Sequence, residues 1–264
     1  MELVMSKRMW SVFAGLCGLV VLTLGAAGVR AQSSAVQAKA PMYSYIANWQ
    51  IPRTHWAEMP KTEEADRAIM DKAMADGTLV GYGDDENLVH TADGETHDDW
   101  FSSMSLAGLL KVLNQLYTSG NTSSPATDAS TKHWDEIFVS RYYHRHAGKF
   151  KNAYTWVSIY QLQQDAPADA LDTLSANIMA PFFEKMIADG TIVEYEIDEM
   201  AVHSAAPGTF VASWVSPTPE GVDKVRGALL EAVKAQALLA PAFDAMTKGS
   251  GHRDELLLSE GEYR

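Results

Sequence analysis

Histidines are the residues of this chain best suited by type to chemistry near neutral pH. His90 and His203 close two matching stretches, residues 75–90 (ADGTLVGYGDDENLVH) and 188–203 (ADGTIVEYEIDEMAVH), which are identical at ten of sixteen positions. Such a pair can hold a metal or haem, or move a proton; the competing reading is a shared structural role at the end of a hairpin. His97, which leads Asp98-Asp99 into Trp100, is placed to serve as a general base at a cavity mouth. His133-Trp134-Asp135-Glu136 and His252-Arg253-Asp254-Glu255 form a second repeated block. On a strand its His and first Asp share one side, as a short relay or as a solvated strand entrance. Zinc needs three or four ligands and no third is evident, so no metal and no cofactor is expected, with haem on the paired histidines as the alternative. The basic run His144-Arg145-His146 in the first copy reads as an anion grip or as a linker facing water.

The second chemical signal is aromatic. Tyr43, Tyr45 and Trp49 are matched by Tyr154, Trp156 and Tyr160, Tyr82 by Tyr195, and Trp100 by Trp214. Singly each reads as core. As a set on two opposed sheets they would line a space suited to a small organic ligand.

The elements that must position these groups follow from periodicity. Residues 43–50 read as a strand ended by Pro52, residues 62–76 as a helix closed by Gly77, and residues 78–92 and 97–104 as strands joined at Asp93-Gly94. A helix over 105–117 and a strand over 135–143 complete the first copy. The second copy repeats the order, with strands at 191–204, 209–216 and 254–259 and a helix over 219–240. Its first helix carries an apolar stripe of Leu171, Leu174, Ile178, Phe182 and Met186, and is kinked at Pro181. Each copy is thus β-α-β-β-α-β, ferredoxin-like, with both helices on one sheet face. Ile46, Val157 and Ile159 are expected against the helices, and the large aromatics of opposite parity on the open face, where the two copies cover each other sheet to sheet.

That order of elements, its duplication and the aromatic inner face resemble a tandem, single-chain version of the dimeric α+β barrel superfamily. The resemblance spans residues 42–264, with copies at 42–149 and 150–264. It implies an α+β pseudo-dimeric barrel around a shared cavity. Superfamily members include cofactor-free monooxygenases, haem-handling proteins, isomerases, dehydratases and non-catalytic binders, so the resemblance leaves reaction and site residues open. If the chain is an enzyme, it implies monooxygenase-like or isomerase-like chemistry without a cofactor.

Composition narrows the partners. Residues 1–31 have the basic start, apolar middle and small-residue end of a signal peptide, with an uncleaved membrane anchor as the alternative, and residues 32–41 read as a linker. Removing residues 1–31 leaves 33 acidic against 18 basic residues and no cysteine. A chain this acidic disfavours nucleic acid and anionic membranes, and disulfides, thiolate metal sites and cysteine nucleophiles are excluded. The sequence therefore predicts a secreted or periplasmic, monomeric protein that binds a small, largely apolar organic molecule between its halves; the alternative is a non-catalytic structural or interaction protein without a cavity.

Overall fold

The structure, a computed structural model, describes residues 35–235 and 239–264. The expected signal segment lies outside them. No helix among the described residues is long and apolar enough to cross a membrane.

Chain order is β1 (Met42–Gln50), α1 (Met59–Asp76), β2 (Gly81–Asn87), β3 (His97–Ser103), α2 (Leu106–Ser119), a single turn α3 (Pro125–Asp128) and β4 (Lys132–Arg145). Then follow β5 (Gly148–Gln161), α4 (Ala170–Leu174), α5 (Ala180–Ala188), β6 (Glu194–Met200), β7 (Thr209–Ser216), α6 (Pro219–Ala235), α7 (Leu239–Met246) and β8 (Arg253–Tyr263). Between α4 and α5 the chain takes a wide π turn at Ser175–Met179, which absorbs the kink expected at Pro181, a residue with no N–H to give an ordinary ladder.

All eight strands form one closed barrel in the order β1-β3-β2-β8-β5-β7-β6-β4. Within it β4-β1-β3-β2 and β8-β5-β7-β6 keep the strand order of two ferredoxin-like sheets. The two sheets are not merely stacked face to face, as expected from sequence. Antiparallel seams β2–β8 and β4–β6 join their edges, so no sheet edge is left open. His144 and Arg145 are part of this construction, and His146 with Ala147 makes the short connection to β5. β4 runs to Arg145 along β6, and His144 Nδ1 lies 2.9 Å from a Glu184 oxygen. Residues before β1 are also tied down, since Val36 N–H donates to Ala176 O and Lys39 N–H to Arg141 O.

The parity of the strands is the reverse of that expected. Ile46, Val157 and Ile159 face the barrel interior with Phe138, Met200 and Val211. Tyr45 and Trp49 pack outward under the helices with Met70, Met74, Leu109 and Leu116. Trp156, Tyr160 and Trp214 do the same with Leu174, Met179, Phe183 and Val225. Volume explains it: the lumen of an eight-stranded barrel is narrow and takes compact side chains, whereas the gap between a sheet and its helices accepts rings that bury 150 Å² or more, about the low end for aromatics.

The repeated Ala-Asp-Gly-Thr stretch is a helix stop that clamps the second helix. Gly77 and Gly190 take left-handed backbone angles, φ 79° and 74°. Asp76 and Asp189 accept from the backbone and hydroxyl of Thr78 and Thr191. The Thr carbonyls in turn accept from Ser103 and Ser216, against which Gly108 of α2 and Gly221 of α6 are pressed. A Cβ on Gly221 would sit 2.9 Å from Thr191 O and on top of the Ser216 hydroxyl. Alanine gains about 1 kcal/mol of helix propensity, but overpacking costs about 1–3 kcal/mol, and backbone cannot yield. Gly221→Ala is therefore expected to lower stability by about 2 kcal/mol in urea unfolding.

Candidate functional site

Among the described residues, cavities lie on both sides of the sheet of the N-terminal half. The outer one lies between that sheet and the helices α1 and α2, and encloses about 840 Å³, counting solvent at its mouth. Its floor is Tyr45, Trp49, Tyr82 and Phe101; Met70, Leu113 and Leu116 cover it. β1 supplies Tyr45 and Trp49 at spacing four, both outward, because strand side chains alternate.

Polar groups stand at both ends. At one, Tyr45 OH donates to Asp135 Oδ1 at 2.7 Å and lies 3.3 Å from Tyr117 OH. The same Asp135 oxygen is 3.2 Å from His133 Nε2, while His133 Nδ1 is 3.0 Å from Asn48 O and the imidazole stacks on Trp49 at 3.6 Å. His133, Asp135 and Tyr45 are thus linked by short polar contacts, with the His133 and Asp135 side chains still about a third exposed. Burial, then the hydrogen bonds to Tyr117 and Asp135, push the Tyr45 hydroxyl pKa well up, so it stays a donor. The second half mirrors the pair: His252 stacks on Tyr160 at 4.6 Å and lies 3.2 Å from Asp254.

At the other end stand Glu63, Asp66 and Arg67 of α1 with Asp84 and Asp99, which face each other across β2 and β3. Burial raises Asp84 to about 6 against the pull of Arg67, whose guanidinium is 3.5 Å away. Burial, then the Asp84 charge, raises Glu63 to about 7. Two buried polar atoms of this cavity have no protein partner: the indole N–H of Trp49 and Asp66 Oδ1. The second half has Ile197 opposite Ala212 where the first has Asp84 opposite Asp99, and Phe182, Phe183 and Phe210 crowd its helix–sheet layer. The polar pocket thus breaks the symmetry of the frame.

The histidines chosen from sequence lie elsewhere. His90 and His203 are exposed on the loops after β2 and β6 and line neither cavity. The two histidines therefore do not meet in either of these cavities. The loop puts them there: β2 stops at Asn87 and β6 at Met200, several residues short of the strands expected. His97 is 4 % exposed, hydrogen-bonded to Thr96 Oγ1 and edge-on to Trp56. Burial, then His90, lowers it to about 4; it is a neutral core residue opposite Trp49 on the neighbouring strand and lines neither cavity.

Of the aromatic set, Tyr45, Trp49 and Tyr82 floor the outer cavity, with Tyr43 packed beside them. Trp156, Tyr160, Tyr195 and Trp214 fill the matching layer of the second half, and Tyr154 shares their strand face. Tyr82 and Tyr195 play one role twice, donating to Asp71 and Glu184 on the preceding helices at 2.7 and 2.8 Å. Trp100 is the exception. It opposes Ile46 and faces inward, while the true partner of Trp214 is Phe101, which pairs with Tyr45 as Trp214 pairs with Trp156. Asp66, Glu63 and Tyr117 were missed, and none carried a visible signal; Asp135 had been singled out by its place in the repeated His-x-Asp.

No family model matches the sequence, and no curated protein matches it. Solved structures do. A protein of Lactobacillus acidophilus whose name proposes a monooxygenase superposes with a TM-score of 0.55 at 11% identity, over 84% of this chain and 94% of its own. An anthrone oxidase-like protein gives 0.55 at 9% identity, over 85% and 94%. A Fusobacterium nucleatum protein, again named as a proposed monooxygenase, gives 0.54 at 9% identity, over 86% and 96%. These structures belong to the dimeric α+β barrel superfamily. The chain has the dimeric α+β barrel fold. In this α+β barrel both sheets come from one polypeptide, and the aromatic pocket lies outside the barrel wall, under the helices of the N-terminal half.

Proposed function

We propose that the protein binds a small, largely apolar aromatic molecule in the outer cavity of its N-terminal half. The two halves, in this reading, are copies of one ferredoxin-like unit, and the first carries this pocket. The carrying observation is the pair of unmatched buried polar atoms, Trp49 Nε1 and Asp66 Oδ1, in a cavity otherwise floored by aromatic rings. A buried donor or acceptor without a partner costs about 1–3 kcal/mol, and a ligand carbonyl or hydroxyl at each end would recover it. The export signal, a monomeric state and the lack of a cofactor belong to the same proposal.

A second reading makes the protein an enzyme on that ligand, and the His133–Asp135–Tyr45 contacts favour it. Imidazole and carboxylate in contact can take a proton from a bound phenol or enol, the step that prepares an electron-rich ring for oxidation. The names of the similar structures support this chemistry without assigning it.

The test is a thermal-shift and tryptophan-fluorescence screen with polycyclic phenols and anthrones. Binding should raise Tm and quench Trp49. Tyr45→Phe, which removes the hydroxyl between Asp135 and the pocket, should weaken the best ligand about tenfold, the worth of one good hydrogen bond. If no compound of this class binds, the proposal fails. For the enzymatic reading, oxygen uptake with the bound phenol should be lost in His133→Ala while binding persists.

A further inference from the structure

Apolar side chains lie open to solvent along one face of α2. Leu106, Leu110, Leu113 and Tyr117 recur at spacings of four, three and four, which keeps them on one stripe of the helix. Leu106, Leu110 and Tyr117 are 37, 45 and 56 % exposed, and Met104, just before the helix, is exposed too. The stripe ends at the outer cavity, which Leu113 and Tyr117 both line, and the Tyr117 hydroxyl lies 3.3 Å from that of Tyr45 on the cavity floor. Surface stripe and pocket mouth are therefore continuous.

The second half does not repeat it. Counted from Gly108 and Gly221, which hold equivalent places against Ser103 and Ser216, the four positions correspond to Pro219, Asp223, Arg226 and Leu230. The fold itself does not require leucines there. Charge singles out the same element: no acidic residue stands between Asp99 and Asp128 in a sequence that has 34, and α2 is the one helix among α1–α7 without Asp or Glu. Its only charge is Lys111. An exposed leucine stripe without carboxylates, ending in a tyrosine, suits the interface of a bilayer, where apolar side chains enter the acyl boundary and a phenol stays at headgroup level. The chain also arrives at this place. Tyr143 OH donates to Ala40 O at 3.0 Å and lies 3.9 Å from Met104 Sδ, beside the start of the stripe. Ala40 is ten residues beyond Arg30, about 35 Å at full extension, so the apolar run at 9–29 seated in a bilayer would hold this corner of the barrel within reach of it. A second copy packed on the stripe would instead cover Tyr117 and shut the pocket.

We propose that α2 docks on the surface of a zwitterionic phospholipid bilayer, with Leu106 and Leu110 inserted and the pocket mouth at Tyr117 turned to the lipid. The docking stands without any ligand; its use, loading the pocket from the bilayer, rests on the function proposed above. Flotation with phosphatidylcholine vesicles tests it, on the full chain and on residues 32–264, which keep every described strand and helix. Both are expected to float, in about 1 M salt as in about 0.1 M, because no ion pair carries the contact. Leu110→Asp should lower the partition coefficient about tenfold or more. Leu110 is exposed and lines neither cavity, so this variant should keep the wild-type Tm and, without vesicles, the wild-type Kd for a soluble phenol. Leu230→Asp, at a still more exposed leucine of α6, should partition as the wild type does. Flotation of the full chain alone would assign the binding to residues 1–31 and overturn the proposal. So would undiminished partition of Leu110→Asp, an equal loss in Leu230→Asp, or a concentration-dependent dimer in sedimentation that Leu110→Asp dissolves. Ligand binding without flotation would end this inference and leave the pocket reading standing; flotation without ligand binding would do the reverse.

Discussion

Between pH 5.5 and pH 8.5 the melting temperature is expected to fall by about 10 °C, the shift of a few kcal/mol in a domain of this size. The cause is the set of carboxyl groups buried on both faces of the N-terminal sheet and, for Glu255 on β8, on the sheet that adjoins it. Burial raises Asp85 from 3.8 to about 7, Glu255 from 4.5 to about 8 and Asp84 to about 6, with neighbouring carboxyls adding to each. In the unfolded chain these groups lose their protons near pH 4. Between the two values the folded state holds more protons than the unfolded one, so stability falls as pH rises. The contribution is complete below pH 4 and is lost through pH 6 to 8. Coupling among the groups makes their sum smaller than separate shifts would give. His97 acts in the opposite sense: held near 4 against 6.5 unfolded, it contributes stability that disappears as pH falls through that range. With three carboxyls opposing one histidine, the stability that these groups supply should be greatest near pH 4 and fall from there towards pH 8. Glu255→Gln should flatten the alkaline side of a Tm–pH curve, and a curve level from 5.5 to 8.5 would show that the buried carboxyls carry ordinary pKa values.

The same acids explain what could and could not be read from the sequence. The element order was legible because each half repeats helix-stopping Asp-Gly-Thr, strand and hairpin at one spacing, and the structure places β1, α1, β3 and β7 within a few residues of expectation. The strand faces were not. Tyr45 and Trp49 alternate with Ser44, Ile46 and Asn48, and alternation alone fixes two faces without saying which one meets the helices. The decisive clue lay on other strands. Asp84-Asp85 and Asp98-Asp99 sit in register, so one pair must face outward and one inward. Glu194, Glu196 and Asp198 share a single face of β6, and three carboxyls do not sit under an apolar helix. That face had to be the lumen, which places the aromatics outside. His90 and His203 misled for another reason. Identity between halves marked the fold-specifying block, and its last residues lie in exposed loops where the pairing has already ended.

Gly83→Ala should be the most damaging single methyl group in the molecule. Gly83 lies on β2 between Trp100 of β3 and Gly261 of β8, on one of the two seams that close the barrel. An added Cβ would lie 2.5 Å from the carbonyl oxygen of Glu260 and 2.6 Å from the Trp100 ring. The ring could turn, at the expense of its stacking on Tyr263 at 5.4 Å; the carbonyl belongs to the paired strand and cannot move without opening the seam. Overpacking a core costs about 1–3 kcal/mol where side chains can adjust, so a backbone collision should cost about 3 kcal/mol or more, a Tm loss of roughly 6–12 °C. Gly227 supplies the contrast. It is exposed on α6 with nothing within 4 Å of an added methyl, and Gly227→Ala should gain about 0.5–1 kcal/mol from helix propensity alone. Urea unfolding of the two variants side by side separates seam geometry from the general effect of replacing glycine. A Gly83→Ala protein as stable as the wild type would mean that β2 and β8 are not held in this register, and with that the closed barrel and its acidic lumen would have to be redrawn.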